Sequence, residues 1–221
     1  HGEAMPMDDG IAAVKILAKL HAQWWGRSDL GQHDWLMRPG LYFDGARAQQ
    51  LTATAQAVVR DHGDQFSDGV VDVMRAFPGA LPEIERRWAS EPSTLCMGDA
   101  QGENMFFSGS GNDIRVRLID WQMPTRSAGM LDIANFLVMT FEPDERRSIE
   151  DDLLAEYHSE LIARGVCDYT FEQLETDFRW ALFHPLIMML RTVPLVGDCA
   201  VARIAPRLEA LVDWGCVELL E

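Results

Sequence analysis

Lysine is almost absent from this chain, and so are the glycine-rich sequences that usually hold phosphate groups. The 221 residues include only two lysines, Lys15 and Lys19, four positions apart in one predicted helix. Neither GxGxxG nor GxxxxGK occurs in the sequence. The chain therefore lacks both of the signals with which nucleotide-binding proteins commonly hold the phosphates of a nucleotide.

Cysteine is sparse, and its spacing argues against two further kinds of site. The four cysteines are Cys96, Cys167, Cys199 and Cys216. They form no CxxC pair, and no two histidines have the spacing of a zinc site. The sequence thus supports neither a zinc centre nor a redox-active dithiol. Free thiols are the usual state in the cytoplasm, which is where we expect the protein.

Long hydrophobic runs are missing as well. The longest one, residues 181–190, contains His184 and Pro185 and is too short to cross a bilayer. The first residues show no signal-peptide pattern of basic, apolar and small residues. We therefore predict no membrane partner.

Basic residues of any kind are few. The chain has 19 lysines and arginines against 35 aspartates and glutamates, which gives a formal net charge of −16. Contacts with nucleic-acid phosphates need clustered basic residues, so we predict no nucleic-acid partner. A cationic or neutral small molecule suits this charge better than an anion, and solubility alone would explain the acidity equally well.

Apolar residues, by contrast, are abundant enough for a folded core. Hydrophobic residues make up 48% of the chain, and there are seven tryptophans. Most apolar residues recur at helical spacing, and residues 26–45 are rich in Gly, Asp and Pro, which indicates a loop. The predicted helices are Ile11–Trp25 with Asp8 and Asp9 as caps, Ala46–Asp61, Ser67 to a stop at Pro78, Pro82 to before Pro92, 129–141, 144–163 ending at Gly165, Thr170–Thr192 with a Thr170–Gln173 capping box, and 199–220 with a kink or start at Pro206.

The centre of the chain reads as β-structure. Three short apolar or alternating segments, Thr94–Met97, Asn104–Phe107 and Ile114–Ile119, are separated by turn residues. Residues 108–113, Ser-Gly-Ser-Gly-Asn-Asp, predict a hairpin turn. A hairpin can bring the loop before its first strand close to the end of its last strand.

Three polar residues of this region have the separations of a magnesium–phosphate site. Asn104 follows Asp99 by five positions, and Asp120 comes directly after the last predicted strand. In kinase-type sites an aspartate accepts the proton of the attacking hydroxyl, while an asparagine five residues later and an aspartate on the next hairpin hold the metal. Asp99 and Asn104 also fit a polar turn. Asp120, as a charge ending a buried strand, needs a cation or an ion-pair partner such as Arg126.

This segment resembles the aminoglycoside phosphotransferase and choline kinase superfamily. The superfamily carries His-Gly-Asp-x-x-x-x-Asn followed by Ile-Asp-Trp or Ile-Asp-Phe. Here the stretches are residues 97–104, Met-Gly-Asp-Ala-Gln-Gly-Glu-Asn, and residues 119–121, Ile-Asp-Trp. Trp121–Gln122 and the string Asp132-Ile-Ala-Asn-Phe-Leu are most similar to the ecdysteroid-kinase-like branch, and residues 19–25, Lys-Leu-His-Ala-Gln-Trp-Trp, are similar to the helix that follows its hinge. The resemblance extends from about residue 10 to the end.

The resemblance implies Mg²⁺- and ATP-dependent phosphoryl transfer to a hydroxyl group of a small molecule. Asp99 would be the catalytic base, and Asn104 and Asp120 would bind the metal and the nucleotide. Asp132 would brace the catalytic loop through hydrogen bonds; alternatively, it is an acid interacting with the dipole of its helix. The histidine that normally precedes Gly-Asp in the family has a structural role, and its position is occupied by Met97 here. A methionine side chain can fill the same space but cannot donate a hydrogen bond.

The family normally places its glycine-rich turn and strand lysine in an N-terminal lobe, which would lie before His1. We therefore predict an α+β, mostly helical, protein-kinase-like C-lobe with a small β-hairpin that carries the site, and with the N-lobe absent. It would form a single domain over residues 1–221, helical over 1–92, with the catalytic loop and hairpin at 93–128, and helical again over 129–221. The uncovered surface around the first helix and the hairpin predicts a homo-oligomer or a partner N-lobe.

Two other functions fit the same residues. A degenerate kinase-like binding or scaffold protein would explain the missing lysine, the missing glycine-rich loop and Met97. A metal-dependent phosphoester hydrolase would use the carboxylates to activate water. By itself, the chain is also predicted to be inactive if an ATP-binding lobe is required.

Overall fold

The centre of this molecule is a helix that is buried on all sides. A computed structural model describes residues 5–37, 45–90 and 92–220. In these ranges the protein is mostly helical, with two small antiparallel sheets. The predicted mostly helical α+β class is therefore confirmed.

Nine α-helices lie in the described part of the chain. They are α1 (Met7–Trp24), α2 (Gly45–His62), α3 (Asp68–Trp88), α4 (Met130–Thr140), α5 (Pro143–Ala163), α6 (Phe171–Ala181), α7 (Phe183–Val196), α8 (Asp198–Ile204) and α9 (Glu209–Asp213). Every residue from Met130 to Val138 in α4 is buried, as expected of a helix that is apolar on all faces. Helix α4 packs against α6 and α7, while α1 packs along α5.

Four short strands connect α3 to α4. They are β1 (Thr94–Cys96), β2 (Met105–Ser108), β3 (Arg115–Leu118) and β4 (Thr125–Ser127). Strands β2 and β3 form the predicted hairpin, with Met105 opposite Leu118. Strand β4 was not predicted, and it pairs antiparallel with β1. At three residues, with polar side chains at both ends, β4 has too little alternation to be recognised in the sequence.

The prediction that Pro78 ends a helix is wrong. Helix α3 runs from Asp68 through Pro78 and Pro82 to Trp88. Each proline removes a main-chain hydrogen bond and costs about 3 kcal/mol in a helix interior. The helix nevertheless buries eight residues on its inner face: Val70, Val71, Val73, Met74, Phe77, Leu81, Ile84 and Trp88. At about 1.5–3 kcal/mol for each large side chain, this burial outweighs both prolines.

Other helix ends agree with the sequence to different degrees. Gly165, at φ 95°, follows the end of α5, and both hydrogen bonds of the Thr170–Gln173 capping box are present. The predicted helix to Thr192 is instead divided at Leu182 into α6 and α7. The predicted final helix is divided as well, with a 3₁₀ turn at Ala205–Leu208 between α8 and α9, where Pro206 cannot donate its share of the helical hydrogen bonds.

The start of the chain differs in detail from its prediction. Helix α1 begins at Met7, so Asp8 and Asp9 lie in its first turn and do not cap it. The predicted loop after α1 contains a 3₁₀ turn at Ser28–Gln32, and its residues 38–44 lie outside the described part of the chain. Among the helices described, each is too short or too polar to cross a bilayer.

Candidate functional site

The loop that contains Asp99 is hydrogen-bonded to a buried carboxylate on α4. This loop, residues 97–104, connects β1 to β2 and is called the central loop here. Asp132, which is 0% exposed in the first turn of α4, accepts hydrogen bonds from the main-chain nitrogens of Met97 at 2.6 Å and of Gly98 at 2.8 Å. A buried carboxylate needs such partners. Asp132 therefore fixes the entry of the central loop.

A histidine from the first helix completes the environment of Asp132. His21 Nε2 lies 3.2 Å from Asp132 Oδ2, and His21 Nδ1 lies 2.8 Å from the hydroxyl of Tyr157 on α5. Because a carboxylate only accepts, we assign the proton to Nε2, and the tyrosine then donates to Nδ1. Burial raises the pKa of Tyr157 well above its ordinary value, so this hydroxyl keeps its proton. The chain Tyr157–His21–Asp132 joins α5, α1 and α4 beneath the loop.

A close main-chain contact brings the segment after Asp120 against the central loop. Gly98 has φ 82°, and a Cβ atom there would lie 1.9 Å from the carbonyl oxygen of Met123. Only glycine fits both this conformation and this space. The contact places Met123, three residues after Asp120, directly against the residue that precedes Asp99.

Amide groups surround the carboxylate of Asp99. Asn135 Nδ2 lies 3.4 Å from its Oδ1, Asn104 Nδ2 lies 3.2 Å from its Oδ2, and Gln101 Nε2 lies 3.4 and 3.5 Å from the two oxygens. Burial raises the pKa of Asp99, the hydrogen bonds from Asn135 and Asn104 oppose this rise, and the charge of Asp120 adds to it. A half-buried carboxylate with a raised pKa and neutral donors suits proton transfer.

Asn104 and Asp120 lie on neighbouring chain segments. The main-chain nitrogen of Ile119 donates to Asn104 O at 3.0 Å, so Asp120 follows directly beside Asn104. The Asn104 side-chain nitrogen donates to Asp99 O at 2.9 Å, and this bond fixes the orientation of the amide group. The side-chain oxygen of Asn104 is then the atom that could bind a metal. The structure thus places Asp99, Asn104 and Asp120 on adjacent segments, as expected from the predicted hairpin. The chemical roles of the three residues stay predictions.

Asp120 itself has an unusual backbone. Its φ is 59°, and it is the one non-glycine residue with positive φ in the described ranges. Such a conformation costs free energy and often marks a functional position. The prediction that Asp120 ends a buried strand is wrong, since β3 is only partly covered and Asp120 is exposed. Its carboxylate accepts a 3.4 Å hydrogen bond from Gln122, while Arg126 donates to Ser93 Oγ at 2.9 Å.

Carboxylate and amide oxygens are the ligands that Mg²⁺ prefers, usually with several waters retained. Asp120 offers an exposed carboxylate, and the buried Asn104 offers an amide oxygen on the neighbouring chain segment, so the chemistry of this donor set fits the ion. A second group, formed by His21, Cys96 and Asp132, has its ligand atoms within 4.8 Å of one another. Burial and the charge of Asp132 raise the pKa of Cys96 well above its ordinary value, so its thiol stays protonated and is a poor metal ligand.

Met97, at the position where the resembled families have histidine, packs in the hydrophobic core and is 0% exposed. Its main-chain nitrogen still contacts Asp132, so the loop is held without a histidine side chain at this position.

The sequence did not identify several residues that hold the loop. His21, which the sequence shows only as part of the segment at residues 19–25, contacts Asp132 and Tyr157. Thr140, at the end of α4, accepts from the main-chain nitrogen of Gly102 at 2.9 Å. Asn135 was seen only as part of the string that starts at Asp132, although its spacing of three residues places both on one side of a helix.

Comparison with known protein families assigns the chain to one of them. No curated protein sequence matches the chain significantly. The family model of the ecdysteroid kinase-like family matches residues 46–165, a region that includes the central loop, the β2–β3 hairpin and α4. The match indicates a kinase-like phosphotransferase fold. Because it covers more than half of the chain, the protein belongs to the ecdysteroid kinase-like family.

Proposed function

We propose that this protein transfers the γ-phosphoryl group of ATP to a hydroxyl group of a small molecule. The observation that supports this most directly is the meeting of Asp99, Asn104 and Asp120 at the junction of the central loop and the hairpin. Family membership is consistent with the proposal, because kinase-like families generally use ATP and Mg²⁺.

Asp99 acts as the base in the proposed reaction. Its carboxylate accepts the proton of the acceptor hydroxyl while that oxygen forms a bond to the γ-phosphorus, and the bond from phosphorus to the bridging oxygen of ADP breaks. The products are the phosphate ester, ADP and one proton. Groups that handle protons in this way typically contribute about 10²–10⁴-fold to a rate.

Asn104 and Asp120 would hold Mg²⁺ through one oxygen each. The bound ion would supply charge neutralisation at the phosphate oxygens. Among the protein groups, Asn104 also keeps Asp99 in place, because its amide nitrogen contacts both the carboxylate and the main-chain oxygen of Asp99. The side chain of Asn104 would therefore contact both the base, Asp99, and the metal ion.

The acidity of the chain is a feature that bears on the chemistry of the acceptor. A net charge of −16 repels anions and attracts cations at long range. We propose a cationic or neutral hydroxyl compound as the acceptor.

The hairpin also presents apolar surface beside the site. Phe106 is 64% exposed and Trp121 is 41% exposed, and they lie close in sequence to Asn104 and Asp120. Exposed apolar side chains of this size commonly contact a partner. We propose that a second copy of the chain or an N-terminal lobe covers them.

Calorimetry with Mg·ATP tests the proposal. The variants are Asp120→Asn and, as a matched control, Asp113→Asn, which changes the same charge at the exposed far end of the hairpin. Binding that is lost in Asp120→Asn and retained in Asp113→Asn would support a metal–nucleotide site. Equal binding by all three proteins, or no binding by any, would contradict it.

The placement of the lysines favours a second candidate, a binding protein that keeps the fold without turnover. Lys15 and Lys19 both line a cavity of about 610 Å³ between α1, α5 and the hairpin turn, and Lys15 Nζ is already 2.8 Å from Glu156 Oε1. A kinase normally uses a lysine on the nucleotide phosphates. Mg·ATP binding without phosphoryl transfer to any hydroxyl compound would favour this second candidate.

A further inference from the structure

One face of the first helix lies outside the candidate site and lines a cavity. Helix α1 buries its inner face, which includes Val14 and Leu17, in the core. Its other face carries Ile11, Lys15 and Lys19 at helical spacing. This face lines a cavity of about 610 Å³ together with residues of α5 and of the β2–β3 hairpin. The cavity has the size of a small-molecule site.

Apolar side chains form part of the lining. Ile11 and Ile16 come from α1, and Ile114 and Val116 come from the hairpin. All four are only partly buried, so water still reaches them. A ligand with an apolar body would remove this surface from water, which favours binding.

Basic side chains outnumber acidic ones in the cavity, in contrast to the chain as a whole. Both lysines of the sequence, Lys15 and Lys19, line it together with Arg115 and Arg164, against three acidic residues. The whole chain has 19 basic and 35 acidic residues. The cavity is therefore a local exception to the acidity that disfavours anions at long range.

Two of the three acidic side chains are already neutralised. Lys15 Nζ lies 2.8 Å from Glu156 Oε1, and Arg164 Nη2 lies 2.5 Å from Glu160 Oε1. These pairs join α1 to α5 and close the last turn of α5. They use two of the four basic residues and both acidic residues of α5, so their charges cancel.

Lys19 and Arg115 remain as cations without an ion pair among the described residues. They come from different elements, α1 and β3, and line the same cavity. The third acid, Asp8, lies in the first turn of α1, where its charge suits the helix dipole. Eleven residues at about 1.5 Å each place it roughly 16 Å from Lys19 along the helix. The cavity thus combines apolar surface with two cations that lack a counter-charge.

We propose that this cavity binds a small amphipathic carboxylate, a molecule with one acidic group and an apolar body of several carbon atoms. The acidic group pairs with Lys19 and with Arg115, whose planar guanidinium matches a carboxylate. The apolar body covers the exposed isoleucine and valine surface. None of Asp99, Asn104 and Asp120 is among the described residues that line the cavity, so the ligand is distinct from Mg·ATP and from the hydroxyl acceptor.

Calorimetry with octanoate, below the concentration at which it forms micelles, tests the inference. Octanol and octylammonium are the neutral and cationic probes of the same length. The variants are Lys19→Gln and Arg115→Gln, both at exposed positions. Arg117→Gln is the matched control, because it makes the same charge change two residues later on β3, at a residue that does not line the cavity.

We expect octanoate to bind more tightly than octanol, and octylammonium to bind most weakly. Octanoate affinity should fall about 2- to 5-fold in Lys19→Gln and in Arg115→Gln, and stay at the wild-type value in Arg117→Gln. Hexanoate, with two fewer CH₂ groups, should bind about tenfold more weakly. The inference would be overturned if octanoate did not bind, if octylammonium bound as tightly, or if Arg117→Gln lost as much affinity as Arg115→Gln.

NMR locates the bound probe without any variant. Octanoate should shift the main-chain amide signals of α1, α5 and residues 114–116. Shifts confined to the exposed side chains Phe106 and Trp121 would overturn the inference. So would the same shifts of α1 and α5 on concentrating the protein without octanoate, because a second copy would then occupy the cavity.

This inference can fail separately from the proposed function. Octanoate is added without Mg·ATP, and Asp120→Asn, which should lose Mg·ATP binding, should retain the octanoate affinity of the wild type. Loss of octanoate binding in Asp120→Asn would contradict a separate site. Failure of the Mg·ATP calorimetry alone would contradict only the proposed phosphoryl transfer.

Discussion

The change Asp132→Asn tests how the central loop is held, because it alters one atom and one charge while keeping the size of the side chain. Asp132 accepts from Met97 N, Gly98 N and His21 Nε2 at 2.6, 2.8 and 3.2 Å. An asparagine offers one oxygen to these three donors. Its NH₂ group must then face at least one of them, donor against donor, at a position that is 0% exposed.

The size of the effect follows from these contacts. A hydrogen bond to a charged group contributes about 1.5–3 kcal/mol, and a buried donor without a partner costs about 1–3 kcal/mol. The loss of one such bond together with one unpaired donor predicts a fall of about 3–5 kcal/mol in the free energy of unfolding. For a chain of this size that corresponds to a melting temperature lower by roughly 6–20 °C.

Urea unfolding followed by tryptophan fluorescence measures this change directly. Asp168→Asn is the matched control, since Asp168 is exposed in the turn after α5, and we expect it to stay within about 0.5 kcal/mol of the wild type. A loss below about 1 kcal/mol in Asp132→Asn would refute the reasoning, because it would show that the loop is held by other contacts.

Four further predictions concern the same region. Tyr157→Phe should lower the free energy of unfolding by about 1–3 kcal/mol in urea, because it leaves buried His21 Nδ1 without a donor; no loss would mean that the hydroxyl is dispensable. Asp99→Ala should become more stable relative to the wild type as pH rises. The pKa of Asp99 is raised in the folded protein, so the wild type loses free energy of unfolding as pH rises from the unfolded-state pKa to the folded-state pKa. A difference between the two proteins that is the same at pH 3 and pH 7 in urea unfolding would contradict this. Gly98→Ala should cost at least about 2 kcal/mol, since its Cβ would meet Met123 O at 1.9 Å, and a wild-type melting temperature would disprove the close contact. Phe106→Ser should weaken self-association in light scattering at micromolar concentration, whereas Leu195→Ser, at an 83% exposed position elsewhere, should not; a wild-type protein that is monomeric would contradict the predicted oligomer.

The sequence predicted those parts of the fold that depend on local patterns. The capping box at Thr170 and the stop at Gly165 are set by neighbouring residues, and both are found in the structure. The passage of α3 through Pro78 could not be predicted in this way, because it depends on packing against α6 and α9, which lie far along the chain. Local preference for a stop was overcome by burial, which a single sequence does not reveal.

The candidate site shows the same division. The spacing of Asp99 and Asn104 and the hairpin before Asp120 predicted that these residues lie on neighbouring segments, and the structure has Asn104 in contact with both Asp99 and the residue before Asp120. The support from His21 was not predictable, because 111 residues separate it from Asp132. Asn135 could have been inferred from its i, i+3 relation to Asp132, had the helix been known to face the loop.

The attachment of the central loop to α4 has a consequence for how the molecule opens. Loops generally exchange their amide hydrogens with solvent quickly, since local opening exposes them at little cost in free energy. The amides of Met97 and Gly98 donate to a carboxylate on α4, whose residues Met130–Val138 are all buried, so their exchange requires the opening of the core itself. In deuterium oxide these two amides should therefore be among the slowest in the protein, and the segment beside Asp99 should behave as part of the stable unfolding unit and not as a mobile loop.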